Sequence, residues 1–311
     1  MMKTSRRQFL QIGFLTTGCA CMSWKLYGES GGTAHDADPQ PYRVLRENIR
    51  PLFVKKKPAQ PGDWLESHAE AGQTFDQYLQ INPNRPTSLR KVIYLLPIGT
   101  FSEEEQKVAK ILREYMTLIF GLEVKFLQRI PLETIPASAQ RVNKFSGQRQ
   151  LLSTYILFNV LKPMRPRDAV AVLALTTADL WPGKHWNFVF GQASLGERVG
   201  VWSTARFGDV KTEYAMFFRR VMQVAVHETG HMFGIKHCIA YECCMNGANS
   251  QQEGDRAPLV FCPECDAKLW WACQLKPKER AQNLASFAKI NGLKAEETAW
   301  SAIADALPSD S

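Results

Sequence analysis

Apolar and polar residues fall in blocks that predict a strand–helix–strand–helix–strand order through the middle of the chain. Residues 91–98, Lys-Val-Ile-Tyr-Leu-Leu-Pro-Ile, are short, β-branched and apolar on both faces, the pattern of a buried strand. Ser102-Glu103-Glu104-Glu105 reads as a capped, acidic first turn. Val108, Ile111, Leu112, Tyr115, Met116 and Ile119 carry it on as an amphipathic helix that stops at Gly121. Residues 122–127 alternate as a second strand, and 150–161 predict a helix ending before Pro163. Residues 168–175, with Val170, Val172, Leu173 and Leu175, predict a third, buried strand. Two short strands are expected over 185–190 and 199–206. A long helix over 214–233 has apolar residues at Phe217, Phe218, Val221, Val224, Ala225 and Met232. Beyond Gly234 the chain turns Cys-rich and loopy before helices near 264–275 and 277–291. This order predicts crossover connections and a largely parallel sheet, an α/β (α+β) fold.

Ahead of the first strand, residues 31–90 are rich in Pro, Gln and Asp, with Lys55-Lys56-Lys57 and Pro83-Asn84-Arg85-Pro86 as breakers. They read as a loosely structured lead-in with short helices, one of them near 74–79. Four parts result: a signal at 1–30, the lead-in at 31–90, a first subdomain at 91–236 ending on the long helix, and a Cys-rich second subdomain at 237–311.

With 311 residues, 45% hydrophobic and 22% charged, the chain is neither disordered nor collagenous nor a small disulfide scaffold. The net charge of +8 includes Lys3, Arg6 and Arg7. The remaining basic residues are scattered, and no basic recognition helix follows the C-x-x-C, so no nucleic-acid partner is expected. No stretch reaches the roughly 18–20 apolar residues of a spanning helix. Ser5-Arg6-Arg7-Gln8-Phe9-Leu10 and the uncharged run over 11–24 resemble a twin-arginine export signal. That resemblance implies the twin-arginine export machinery as a partner and a periplasmic location. The alternative is a cytoplasmic N-terminus with two adjacent arginines by chance. Gly18-Cys19 resembles the end of a lipoprotein box and offers a lipid anchor at Cys19, with Thr16 departing from the apolar residue usual at its place. The twin-arginine route carries folded proteins, so a thiolate–metal site could be filled in the cytosol before export.

The clustering of metal-binding residue types alters the picture most. Six of the eight cysteines lie between 238 and 273, and three of the six histidines between 227 and 237. In His227-Glu228-Thr229-Gly230-His231-Met232-Phe233-Gly234-Ile235-Lys236-His237, the first two histidines are four apart and share a helix face. Gly234 can take a positive φ, end the helix and bring His237 round to the same ion. Three imidazoles leave one tetrahedral position open, the arrangement of a catalytic zinc. Glu228 beside it is placed as general base for a zinc-activated water. Cys238, Cys243, Cys262 and Cys265 match a closed, structural four-cysteine zinc site. The alternative for Cys262 and Cys265 is a redox pair. Cys244 is expected to point away, and Cys273 to be a buried structural cysteine. Met245, eight residues past His237, fits a methionine turn beneath the catalytic ion.

These motifs resemble the archaemetzincins, metzincin-type zinc peptidases with an added four-cysteine zinc, and most of all the archaemetzincin-2 branch. Residues 186–195, Arg256-Ala257-Pro258-Leu259, and Asp63-Trp64 with Ser67-His68 extend the likeness over about 60–290. The resemblance implies a zinc metallopeptidase with two zinc ions per chain, one catalytic and one structural, acting on peptides. It also implies a mixed sheet above the cleft, with an antiparallel edge strand that pairs with the substrate. Residues 185–190 are the candidate edge, making Trp186 and Phe188 candidate cleft walls. His68 and His185 are left as surface residues. The competing reading is an idle zinc-binding module that holds peptides without cutting them.

Overall fold

The computed structural model describes residues 40–310, and the signal and Cys19 lie outside them. The lead-in carries helices α1 (Gln40–Ile49), α2 (Trp64–Ser67) and α3 (Phe75–Gln80). Thr74 caps α3 through a capping box with Gln77. Then come β1 (Val92–Ile98), α4 (Glu103–Phe120) and β2 (Glu123–Phe126). Ser102 and Glu105 form the expected capping box, and Gly121 closes α4 at φ +62°. A small sheet follows from β3 (Gln140–Val142) and β4 (Arg149–Leu152), after which the chain runs through α5 (Ser153–Tyr155), a π-helical segment (Ile156–Leu161) and α6 (Lys162–Met164). Next are β5 (Ala169–Thr176), β6 (Asp179–Trp181), β7 (Gly191–Ser194), β8 (Val199–Ser203) and the long α7 (Tyr214–Met232). Helices α8 (Gln251–Arg256), α9 (Pro263–Cys273), α10 (Pro277–Ile290) and α11 (Lys294–Ala306) complete the chain.

The main sheet has the order β2-β1-β5-β8-β7. Its first four strands are parallel, and β7 alone runs antiparallel, against β8. Every residue of β5 is buried, because its two faces belong to two cores. Val170, Ala171, Leu173 and Leu175 join the core built with α4, α7 and the C-terminal helices. Ala169, Val172 and Ala174 join the core under the π-helical segment. No helix among the described residues is long and apolar enough to cross a membrane.

Two local expectations are corrected. The antiparallel edge strand is residues 191–194, not 185–190; in the latter stretch only Val189 makes a bridge, to Leu180, and His185 has φ +71°. Residues 149–152 form a strand where a helix was expected from 150. Its Gln150 is buried and donates to Asp179 Oδ2 at 2.7 Å and to the Asn187 carbonyl at 2.9 Å. Those long-range bonds outweigh the apolar spacing that reads as helical. The 3-stranded sheet β3-β4-β6 then pins the loop after β6: Arg141 donates to the carbonyls of Trp186 and Asn187, each at 2.9 Å.

Candidate active site

Helix α7 carries His227, Glu228 and His231 on its last two turns. Its end is a Schellman arrangement: Ile235 N–H donates to the Gly230 carbonyl at 3.1 Å, and Gly234 sits at φ +83°. That turn swings His237 back, so that one nitrogen from each of the three histidines lies within 4.8 Å of the others. His227 Nδ1 donates to the Cys244 carbonyl at 2.9 Å, and His231 Nδ1 to the Ile235 carbonyl at 2.7 Å. Both Nε2 atoms are therefore unprotonated lone-pair carriers, and they lie 3.1 Å apart. Two such acceptors repel unless a cation lies between them. Tetrahedral zinc at the usual bond length separates its nitrogens by about 3.3 Å, so the residues fit the metal. Burial, with the neighbouring His237, holds His227 down to about 4. Burial and both neighbouring imidazoles hold His231 well below the ordinary histidine value. Both rings are neutral at pH 7, as ligation requires.

Glu228 is only 6% exposed. Burial pushes its carboxyl up to about 8, and a dication nearby pulls the other way. Its neighbour across the cleft is the edge strand: a Cβ built on Gly191 lies 2.6 Å from Glu228 Cδ. Gly191 is thus a spacer for the carboxylate. Gly191→Ala is expected to lower kcat by about 10²-fold, the loss a small misplacement brings. Its zinc content by elemental analysis should match the wild type.

The second cluster adjoins the first. Cys238, Cys243, Cys262 and Cys265 lie within 4.8 Å of one another and are buried. The Cys238 and Cys262 sulfurs are 3.6 Å apart, near the roughly 3.8 Å edge of a zinc–thiolate tetrahedron and far from a disulfide. All six described cysteines are free, so Cys262 and Cys265 form no redox disulfide here. Hydrogen bonds from Cys243, Cys262 and Cys265 pull Cys238 far below the ordinary thiol value. Burial pushes Cys243 and Cys262 well above it. A bound cation would be what turns all four into thiolates. Cys244 points elsewhere, its sulfur toward the Gln223 carbonyl at 3.9 Å. Cys273 is half-buried. Met245 is fully buried against α7, where a Cβ on Gly230 would lie 2.7 Å from its sulfur. The turn at Met245 is tied to the cysteines: its carbonyl accepts from Cys238 N–H at 2.7 Å.

A cleft of about 740 Å³ runs over these groups, lined among others by Trp186, Phe188, Gly191, Glu228 and the three histidines. Trp186 is 42% exposed. Phe188 lies under the Arg206 guanidinium at 3.6 Å. His68 is no isolated surface residue. Its ring stacks on Trp64 at 3.8 Å and faces Trp186 at 6.1 Å, so Trp64 and Trp186 are bridged across it. One residue of the lead-in, Glu70, carries no signal in the sequence. Glu70 Oε1 accepts from His237 Nδ1 at 2.8 Å, and also from the Trp64 indole N–H at 3.0 Å. Burial raises the Glu70 carboxyl, but the hydrogen bond and charge of His237 and the indole N–H outweigh it, for a net downward shift.

The profile of Peptidase family M54 matches residues 101–270. Archaemetzincin-2 of Homo sapiens is 34% identical over 280 residues, spanning 78% of this chain and 77% of that one. The chain belongs to Peptidase family M54. As an archaemetzincin-family member it is a zinc metallopeptidase, a hydrolase. Archaemetzincin-1 of Homo sapiens is 31% identical over 263 residues, 73% of this chain and 52% of that one. The crystal structure of archaemetzincin from Methanopyrus kandleri shares 29% identity with a TM-score of 0.51, covering 61% of this chain and 99% of that chain.

Proposed function

We propose that the cleft hydrolyses peptide bonds with His227, His231 and His237 holding the catalytic zinc and Glu228 as general base. Cys238, Cys243, Cys262 and Cys265 hold a second, structural zinc. The observation that carries this reading is the convergence of three imidazole nitrogens beside a buried carboxylate at the floor of an open cleft. When bound, zinc supplies a Lewis acid that polarises the scissile carbonyl and lowers the pKa of water from 15.7 toward about 7. The remaining work falls to the chain. Strand β7 is the outermost strand of its sheet, so its free edge can pair with an extended peptide. Trp186 and Phe188 then wall the bound side chains. Glu228 receives the proton that the attacking water gives up and hands it to the leaving nitrogen. The carbon–oxygen bond forms, the carbon–nitrogen bond breaks, and the amine leaves neutral. Met245 packs against α7 at Gly230, between His227 and His231.

The substrates belong outside the cytoplasm on this reading, because Arg6-Arg7 and the uncharged run after them favour export of the folded protein. Digestion of a peptide library by the purified protein tests the activity, with mass spectrometric readout. Cleavage that stops on zinc removal and returns on zinc addition is expected. A zinc-replete protein that binds library peptides and cuts none would favour the idle binding module instead.

A further inference from the structure

We propose that Glu70 is the positioning residue of the third histidine: its carboxylate, carried by the lead-in, fixes His237 for metal binding. The inference rests on the reading that His227, His231 and His237 hold the catalytic zinc. It adds a part of the site that lies ahead of residues 101–270, where the family profile matches.

The three histidines are not held alike. His227 and His231 stand on consecutive turns of α7 and donate to backbone carbonyls, which are neutral acceptors. His237 lies beyond α7, past Gly234, so the helix backbone does not set its position as it does for the other two. Its Nδ1 instead meets a carboxylate, Glu70 Oε1, at 2.8 Å. A charged acceptor on the far nitrogen fixes the ring's tautomer and rotation and leaves Nε2 as the metal-facing atom. It also makes that nitrogen a stronger electron donor. The least constrained ligand thus receives the strongest tether.

Glu70 is itself held in place. The same Oε1 accepts from the Trp64 indole at 3.0 Å, and Trp64 lies edge-on to His237 at 5.2 Å. Gly247 leaves room for the Trp64 ring, since a Cβ there would lie 2.6 Å from it. The backbone N–H of Trp64 donates to both carboxylate oxygens of Glu253, at 2.9 and 3.0 Å. Lys56 pairs with Glu242 at 3.0 Å, and Asp63 with Arg256. Farther on, Gln73 donates to the Gly234 carbonyl at 3.2 Å. The segment is therefore moored on both sides of Glu70 to the chain that follows α7, helix α8 included. The other oxygen of Glu70, Oε2, is buried without a hydrogen-bond partner.

Cobalt(II) titration of the full-length protein tests the role, because the two sites report separately. A nitrogen-ligated cobalt gives weak visible d–d bands. A thiolate-ligated one gives strong sulfur-to-cobalt charge transfer in the near ultraviolet. Glu70→Ala is expected to weaken cobalt at the histidine site by about 10–100-fold. The charge-transfer band and the melting temperature should not move. Glu70→Gln keeps an acceptor for both N–H groups but loses the charge, so its affinity is expected between wild type and Glu70→Ala. Wild-type affinity in both variants overturns the proposal, as does wild-type affinity in Glu70→Gln alone if Glu70→Ala does not fold. Parallel loss of both cobalt signals also overturns it, and would make Glu70 scaffolding only. A wild-type protein that gives no nitrogen-ligated cobalt signal instead overturns the zinc-site reading beneath it.

Discussion

Glu228→Ala is expected to lower kcat by about 10²–10⁴-fold, the usual worth of a positioned general base, while the protein keeps its zinc and its fold. The carboxylate lies at the cleft floor and is not one of the three nitrogen donors grouped around the metal position. Removing it therefore should leave zinc content unchanged by elemental analysis. Its effect on stability follows from its surroundings. Burial alone pushes the carboxyl up to about 8. A carboxyl with a raised folded pKa opposes folding increasingly as pH rises from the ordinary value of about 4.3 toward 8. With zinc stripped from both proteins, the variant should thus melt no lower than wild type at pH 7. Loss of the catalytic zinc in this variant would show that Glu228 is a ligand and would remove it from the role of base.

Gly191→Ala and Glu228→Ala approach the same carboxylate from opposite sides of the cleft. Gly191 also shows why the edge strand was hidden in the sequence. Gly191-Gln192-Ala193-Ser194 has the composition of a turn, with none of the β-branched or aromatic residues that mark strands. It is a strand because β8 supplies a pairing partner, and its residues are small because α7 packs close beneath them. The aromatic run at 186–190 carried the stronger strand signal, yet its backbone is committed to the β3-β4-β6 sheet side of the cleft by Arg141 and Gln150.

The 227–237 motif was legible for the opposite reason. A helix fixes the relative positions of residues four apart, and a glycine stop fixes where the chain turns, so local spacing already encodes the geometry. The cysteine tetrad was legible because metal ligation selects few residue types. Glu70 was not. It lies 167 residues from His237, a glutamate in a polar lead-in, and nothing local distinguishes it from Glu66. His68 has one stacking partner close by, Trp64 four residues before it, but its place at the cleft comes from Trp186, which is distant in sequence. The last helix, α11, did carry a signal. Trp300, Ile303, Ala304 and Leu307 are buried at helical spacing behind an acidic first turn, and the reading stopped short of it at 291.

Cys262→Ser is expected to damage folding far more than His237→Ala, and to take the catalytic site with it. The tetrad is interleaved with the active site along the chain: Cys238 directly follows His237, and Cys243 lies two residues before Met245. Cys262 is the N-cap residue of α9, and its N–H donates to Cys243 Sγ at 3.2 Å. One metal at the tetrad would therefore clamp the turn after the third histidine, the methionine turn and the start of α9 together. Structural zinc contributes about 10–16 kcal/mol in small zinc domains, against a total stability of about 5–15 kcal/mol for an ordinary domain. Losing one of the four cysteines should leave the segment after α7 unable to close. The Cys262→Ser protein should accumulate as insoluble material, or melt well below wild type by circular dichroism. On the proposed function, His237→Ala removes a ligand from an open site that contributes chemistry, and it should stay soluble with a near-wild-type melting temperature. Its cleavage of the peptide library should be lost. Equal solubility and equal melting in the two variants would contradict this division between a structural and a catalytic metal. The same comparison has a second readout, because the clamp reaches His237. Soluble Cys262→Ser protein, if refolded, should also show weakened metal binding at the histidines, whereas His237→Ala should leave the thiolate site fully loaded.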